Sequence, residues 1–186
     1  MRVIQTEIPE VVVVEPLVHR DGRGYFVETW RQDRYVEAGL PRTFVQDNRS
    51  RSTKGVLRGL HAQRTNPQGK LVQVVEGEIF DVAVDLRPGS RTFLRWVGAT
   101  LTAERADQLW VPPGFAHGFC VLSETAVVEY KCTTPYDPND EMRIAWNDRR
   151  IGVRWPIRDP ILSEKDRTAP VVADWFGLLP AAARAA

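Results

Sequence analysis

The middle of the chain is a succession of short alternating runs broken by turn residues, and that pattern constrains the fold more than any single motif. Lys70 to Val75 alternates, Glu76-Gly77-Glu78 supplies a tight turn, and Ile79 to Leu86 alternates again, which predicts a β-hairpin. Arg87-Pro88-Gly89-Ser90 is a turn by composition, and Phe93 to Leu101 reads as the next strand. Leu109-Trp110-Val111 runs into Pro112-Pro113-Gly114, where two adjacent residues lack amide donors and strand pairing must stop. His117 to Leu122 and Ala126 to Thr133 complete the set. Only two stretches read as helix. One is Trp30 to Ala38, stopped by Gly39 and Pro41; the other is a short turn opened by Ser163 with Asp166 three residues later. Many short strands and little helix make this an all-β chain, a sandwich or a barrel.

At 186 residues the chain fits a single domain spanning 1–186 and can bury a sizeable core. Its 25 basic and 24 acidic residues nearly cancel, so no bulk positive field points to nucleic acid. Any bound anion must be held by a few placed arginines and lysines. Cys120 and Cys132 lie in apolar or strand-like surroundings and read as small core residues; two cysteines build neither a disulfide framework nor a thiolate cluster. The first residues, Met1 to Glu7, lack the regions of a signal peptide, and Val11 to Val14 is too short to span a bilayer. The expectation is a cytoplasmic protein with no membrane partner. Residues 179–186, rich in alanine, read as a loose tail.

Of the three histidines, His19 sits beside Asp21-Gly22-Arg23-Gly24 and reads as an exposed loop residue. His61 follows Arg58-Gly59-Leu60 on a predicted strand, and His117 follows the Pro112-Pro113-Gly114 turn. A Pro-x-Gly-x-x-His element downstream of a Gly-x5-His element resembles the two motifs of cupins. Metal-binding cupins carry His-x-His in the first motif; here it reads His61-Ala62-Gln63, and the next acid, Glu76, lies well beyond the usual position. Two histidines with a glutamine make a poor divalent-metal site, so the expectation is no metal. Any chemistry then falls to side chains, although a strand histidine is as readily a hydrogen-bonded piece of scaffold.

The string Arg58-Gly59-Leu60-His61-x-Gln63, followed by Gln68-Gly69-Lys70-Leu71-Val72, resembles the dTDP-4-dehydrorhamnose 3,5-epimerases. The likeness continues through Asp21-x-Arg23-Gly24-x-Phe26-x-Glu28, Phe44-Val45-Gln46-Asp47-Asn48 and Phe80-Asp81-Val82-Ala83-Val84-Asp85. It extends to Gly114-Phe115-Ala116-His117-Gly118-Phe119, Tyr130-Lys131, Trp146-Asn147-Asp148 and Leu162-Ser163-x-Lys165-Asp166, in order along nearly the whole chain. The resemblance implies a double-stranded β-helix (a cupin or jelly-roll barrel) with a few short helices. It implies an isomerase without cofactor that converts dTDP-4-keto-6-deoxy-D-glucose to dTDP-4-keto-L-rhamnose for surface polysaccharide. It also implies a homodimer, with an N-terminal arm of about residues 1–50 contributing to the neighbour.

Inverting C3 and C5 beside a C4 ketone needs a base on one face, an acid on the other and a positive group at the enolate oxygen. The resemblance assigns His61 as base, Asp166 as its orienting carboxylate, Tyr130 as acid and Lys70 as the enolate's cation. It gives His117 a supporting part at the same oxygen or at a sugar hydroxyl. Arg23 and Arg58 fall to the diphosphate, Glu28, Gln46 and Asn48 to the nucleoside, and Tyr136 to stacking on the base. Phe26, Glu141 and Lys165 match further ligand-lining positions. Each has a plainer reading from the residues alone: Asp166 a helix cap, Tyr130 a packed strand aromatic, Lys70 a solvated strand end, Arg23 a surface arginine. Ala62 and Arg49 depart from the family's common residues and bear on pocket shape. The rival functions are a 3-epimerase of a deoxysugar pathway, a 3,4-ketoisomerase, a metal-dependent cupin such as a dioxygenase, and a non-catalytic sugar-nucleotide binder.

Overall fold

The computed structural model describes residues 1–177; the tail expected at 179–186 lies outside them. Two antiparallel sheets face each other. The six-stranded sheet runs β1 (Arg2–Gln5), β2 (Val12–Glu15), β10 (Gln108–Val111), β7 (Lys70–Glu76), β12 (Thr125–Cys132), β5 (Gln46–Thr53). The five-stranded sheet runs β13 (Glu141–Arg143), β6 (Leu57–Gln63), β11 (Phe115–Val121), β8 (Glu78–Asp85), β9 (Trp96–Thr102). β3 (Val18–Asp21) and β4 (Gly24–Val27) form a separate two-stranded hairpin. This is the jelly-roll barrel implied by the resemblance.

Period-2 alternation explains the layers. Val72 and Val74 of β7, Leu109 and Val111 of β10, and Ile79 and Ala83 of β8 point between the sheets into one buried cluster. The other face of the five-stranded sheet, with Val82, Val84 and Ala116, is covered by residues 142–155 and by α3 (Val172–Phe176), a helix not expected from the sequence. The outer face of the six-stranded sheet, with Val12, Val14, Leu71 and Trp110, is partly covered by α1 (Gln32–Glu37), whose Tyr35 is 1% exposed. α1 falls inside the expected 30–38 span, and Gly39 after it adopts φ +84°. α2 (Glu164–Arg167) begins after Ser163 as expected.

Three expectations need correction. β7 and β8 are consecutive but do not form a hairpin: β7 pairs with β10 and β12, whereas β8 pairs with β11 and β9. Alternation says that one face of a strand is buried, not which strand lies beside it. Both strands do bury one face, but across the core from each other, and Gly77 (φ +81°) carries the chain between sheets so close to β12 that a Cβ would meet the Thr125 carbonyl at 2.1 Å. The strand expected at 93–101 starts only at Trp96. Asp85 holds the preceding turn: it takes the Ser90 and Thr92 hydroxyls at 2.5 and 2.6 Å, and its own carbonyl takes the Leu94 amide at 2.8 Å. His19 lies on β3 rather than in a loop, though it is exposed as anticipated.

Within residues 1–50, β1, β2 and α1 belong to the barrel, and Ile8 and Val11 are fully buried in its core. The segment standing apart is the β3–β4 hairpin, with Phe26 70% exposed. Cys120 and Cys132 are buried free thiols. Among the described residues no helix is long and apolar enough to cross a membrane.

Candidate active site

At one end of the barrel the space between the sheets is polar, forming a cavity of about 490 Å³. Gln46, Asn48, Lys70 and Tyr130 enter it from the six-stranded sheet, and Arg58, His61, Gln63, His117 and Phe119 from the five-stranded one. Two glycines bring β6 and β11 together here. A Cβ on Gly59 (φ +136°) would lie 2.6 Å from the Gly118 Cα, and one on Gly118 would lie 2.9 Å from the Arg58 carbonyl. The register shifts between His117 and Phe119 at this point, leaving His61 and His117 as direct Cα partners.

His61 Nε2 lies 2.6 Å from Asp166 Oδ1. Asp166 is the third residue of the turn capped by Ser163: its amide donates to Ser163 Oγ at 3.1 Å, and that hydroxyl donates to Asp166 Oδ2 at 2.9 Å. The capping role and the histidine partnership thus coexist in one residue. Burial pushes the Asp166 carboxyl up, but the bond and charge of His61, the Ser163 hydroxyl and the Gly59 amide together hold it below the usual carboxylate value. An ionised Asp166 accepts the Nε2 proton, which leaves Nδ1 as the basic nitrogen of the imidazole.

His117 makes a second pair, Nε2 to Asp81 Oδ1 at 2.6 Å, with Asp81 fully buried. Lys70, 7% exposed, stands close by; burial pushes its ammonium down, while Cys132 and Asp81 pull it back up. The Tyr130 ring is 6.4 Å from the His117 ring. Burial chiefly raises the Tyr130 phenol above its ordinary value, with Cys132 and Tyr136 adding to the rise and Arg58 opposing it, so it keeps its proton at neutral pH. The cavity therefore offers an imidazole oriented by a carboxylate on one sheet, a protonated phenol on the opposite sheet, and an ammonium between strands β10 and β12. Proton removal and return at a carbon next to a carbonyl is within the reach of these groups.

The rim is a chain of polar contacts. Tyr136 donates its amide to Gln46 Oε1 (2.8 Å), Gln46 Nε2 donates to Asn48 Oδ1 (2.9 Å), and the Tyr136 hydroxyl meets Glu141 Oε1 at 3.3 Å. Arg58 donates Nε to Ser52 Oγ at 3.0 Å, and Lys165 lines the same space. Neither Arg58 nor Lys165 has a carboxylate within ion-pair distance among the described residues, so both are open to an anion.

Eleven of the sequence-selected residues thus meet in one cavity: His61, Tyr130, Asp166, Lys70, Gln46, Asn48, Arg58, His117, Tyr136, Glu141 and Lys165. Arg23, Phe26 and Glu28 do not line it. Arg23 is at the tip of the β3–β4 hairpin and pairs with Asp21 (Nη2–Oδ2 2.6 Å), and Glu28 pairs with Arg34 (3.0 Å). Ala62 lines the cavity; Arg49 pairs outside it with Glu129.

Sequence reasoning gave no role to Asp81, although a signal was present. Asp81 and Asp85 share one face of a strand that is otherwise apolar from Ile79 on, and a buried carboxylate requires a partner. It also placed neither Gln63, Gln68 and Arg143 nor the helix-opening Ser163 in the cavity that all four line. Both imidazole Nε2 atoms are committed to separate carboxylates, and among the described residues no group of three or more His, Cys, Asp or Glu side chains gathers to hold a metal ion.

The profile of the dTDP-4-dehydrorhamnose 3,5-epimerase family matches residues 5–174. A dTDP-4-dehydrorhamnose 3,5-epimerase of Shigella flexneri is 53% identical over 180 residues, 95% of this chain and 99% of that protein. One of Neisseria gonorrhoeae is 56% identical over 167 residues, 89% of this chain, and the match spans 51% of that protein's length. Among solved structures, a dTDP-6-deoxy-D-glucose-3,5-epimerase from Legionella pneumophila in complex with dTDP-4-keto-L-rhamnose superposes with a TM-score of 0.89 at 48% identity, covering 97% of this chain and 95% of that one.

Proposed function

The chain belongs to the dTDP-4-dehydrorhamnose 3,5-epimerase family, and we propose that it inverts C3 and C5 of dTDP-4-keto-6-deoxy-D-glucose to give dTDP-4-keto-L-rhamnose. The observation carrying this reading is the opposition of His61 and Tyr130 across one cavity, with Lys70 beside them.

In the proposed reaction His61 takes the proton from the carbon next to the C4 ketone. The released electron pair moves onto the C4 oxygen as an enolate, which the Lys70 ammonium and His117 stabilise. Tyr130 then delivers its phenol proton to the opposite face of that carbon, and the ketone re-forms. One turnover of this step leaves an imidazolium and a phenolate. His61 must shed its proton to solvent and Tyr130 must regain one before the second carbon reacts. Asp166 keeps the proton on Nε2 and stabilises the imidazolium while it exists. Arg58 holds the diphosphate, Gln46 and Asn48 the nucleoside, and Tyr136 stacks on the base; Glu141 and Lys165 line the same space.

The reading includes a homodimer. The β3–β4 hairpin, paired with no strand of the barrel sheets and tipped with exposed aromatic and charged side chains, would carry Arg23, Phe26 and Glu28 to the neighbour's cavity. The rest of the proposal is cytoplasmic work on a nucleotide sugar in a rhamnose-forming route to surface polysaccharide.

Incubation with dTDP-4-keto-6-deoxy-D-glucose in heavy water tests the function. Deuterium should enter at both C3 and C5, because the protons returned come from groups that equilibrate with solvent. Exchange at C3 alone would make this a 3-epimerase, and an active-site-intact preparation exchanging neither carbon would overturn the proposal.

A further inference from the structure

Two loops meet at the cavity rim, residues 64–69 between β6 and β7 and residues 133–140 between β12 and β13, and they bring Gln68 and Tyr136 to its lining. Backbone bonds join them at their roots, Arg64 N to the Asp140 carbonyl (3.1 Å) and Thr133 N to the Gly69 carbonyl (3.0 Å). Between the roots the connection passes through side chains. Gln63, 6% exposed at the end of β6, donates Nε2 to the carbonyls of Asn66 (2.8 Å) and Pro135 (3.3 Å) and accepts the Asp137 amide on Oε1 (2.9 Å). On the solvent side, the Asp140 carboxylate accepts the amides of Thr65 and Asn66, each at 2.8 Å.

Pro135 and Asp137 flank Tyr136. A single primary amide therefore grips the backbone on both sides of that tyrosine, using two donors and an acceptor at once. Only an amide side chain presents this set, since a carboxylate lacks the donors and an ammonium lacks the acceptor. Gln63 also lies two residues from His61 on β6 and is the Cα partner of Glu141. The rim is thereby tied to the strand that carries the proposed base.

We propose that Gln63 is a positioning residue that fixes Tyr136 at the cavity mouth, and so sets the affinity for the nucleotide without acting on the reacting carbons. The proposal rests on Tyr136 stacking against the base. A fixed ring has less freedom to lose on binding than one carried on an unclamped loop.

The test is a double-mutant cycle on Gln63→Leu and Tyr136→Ala, read by calorimetric Kd for dTDP and by kcat and KM on the sugar nucleotide. Gln63→Leu should raise Kd and KM about tenfold with kcat changed less than about twofold, the signature of lost binding common to ground and transition states. In the Tyr136→Ala background the same change should add almost nothing. Asp140→Ala loosens the same loops from the surface; it should raise Kd a few-fold, again only while Tyr136 is present, and it carries the test if Gln63→Leu does not fold. Additive effects in the cycle, or a fall in kcat at constant KM, overturn the proposal. So does a Tyr136→Ala protein that binds dTDP as tightly as the unaltered one. If dTDP binding follows the cycle but no deuterium enters the sugar, the epimerase assignment fails and the clamp stands.

Discussion

The cavity contains two histidine–aspartate pairs of equal length on adjacent strands, and they differ in almost everything else. Each has Nε2 to Oδ1 at 2.6 Å, and the two histidines are Cα partners. The His61 side chain is 35% exposed to the cavity, and its carboxylate arrives from α2, 105 residues away, itself bonded to Ser163 and the Gly59 amide. The His117 side chain is 7% exposed and its carboxylate 0%, with Asp81 Oδ2 lacking any hydrogen-bond partner among the described residues. One pair is an imidazole that can exchange a proton with a ligand or solvent while its partner stays satisfied. The other shows the cavity only an edge of its imidazole and closes its carboxylate off completely, so its two members depend on each other. Hydrogen bonds of equal length therefore support two different tasks, and accessibility decides which.

This contrast predicts opposite penalties. His61→Ala should lower kcat by about three orders of magnitude or more, as expected when a proton-transfer group is removed, while calorimetric dTDP affinity changes little. Its folding stability should stay within about 1 kcal/mol of the original in urea unfolding, because the Asp166 carboxylate keeps its other donors. Asp166→Asn should cost about 10²–10⁴ in kcat, since an amide facing Nε2 no longer enforces the same tautomer. A turnover rate within tenfold of the unaltered enzyme would remove His61 from the base role if shown by His61→Ala, and Asp166 from the orienting role if shown by Asp166→Asn.

The His117 pair should fail the other way. His117→Asn takes the 2.6 Å hydrogen-bond partner from the fully buried Asp81 carboxylate, a change worth about 3–5 kcal/mol of stability when a buried pair is broken from one side. Adding Asp81→Asn should restore much of that loss, because the double variant buries two neutral amides instead of a carboxylate that lacks its hydrogen-bond partner. The urea midpoints of the three proteins decide the matter. Equal loss in the single and double variants would mean that packing against Phe119 and Tyr130, not charge, is what His117 contributes.

The same contrast governs what could be read without coordinates. Alternation, turn residues and the Pro112-Pro113-Gly114 break were enough for an all-β sandwich or barrel, since burial of one strand face is written locally; the choice of barrel came with the family resemblance. Strand partners were not: the 70–75 and 79–86 runs read as a hairpin, yet they belong to opposite sheets. Pairing follows from how the whole core closes, which no window of ten residues contains. Site residues inside contiguous strings, such as His61, Lys70, Tyr130 and the Ser163–Asp166 turn, were legible. Asp81 and Gln63 lay in the same strings and were passed over, because their roles arise only from what sits opposite them, His117 across the sheet and Asp137 across the rim. Arg23, Phe26 and Glu28 were read as ligand-lining, but in a single chain they stand apart from the cavity.

The smallest effect concerns the Ser163 hydroxyl, which joins helix capping to the exposed pair. Ser163→Ala removes the acceptor for the Asp166 amide and the donor to Asp166 Oδ2, a loss of about 1 kcal/mol on the usual cost of an N-cap. It should also alter the acid limb of the stability curve. A carboxyl held below its unfolded value contributes stability that is complete above about pH 4, the ordinary aspartate value, and is lost as pH falls through the lower folded value. Ser163 supplies part of that lowering and His61 a larger part, so the variant should lose less stability than the unaltered protein as the pH falls below about 4. The two urea-stability curves should therefore converge as the solution is acidified. Parallel curves would mean that the hydroxyl caps the helix but does not hold the carboxylate for His61.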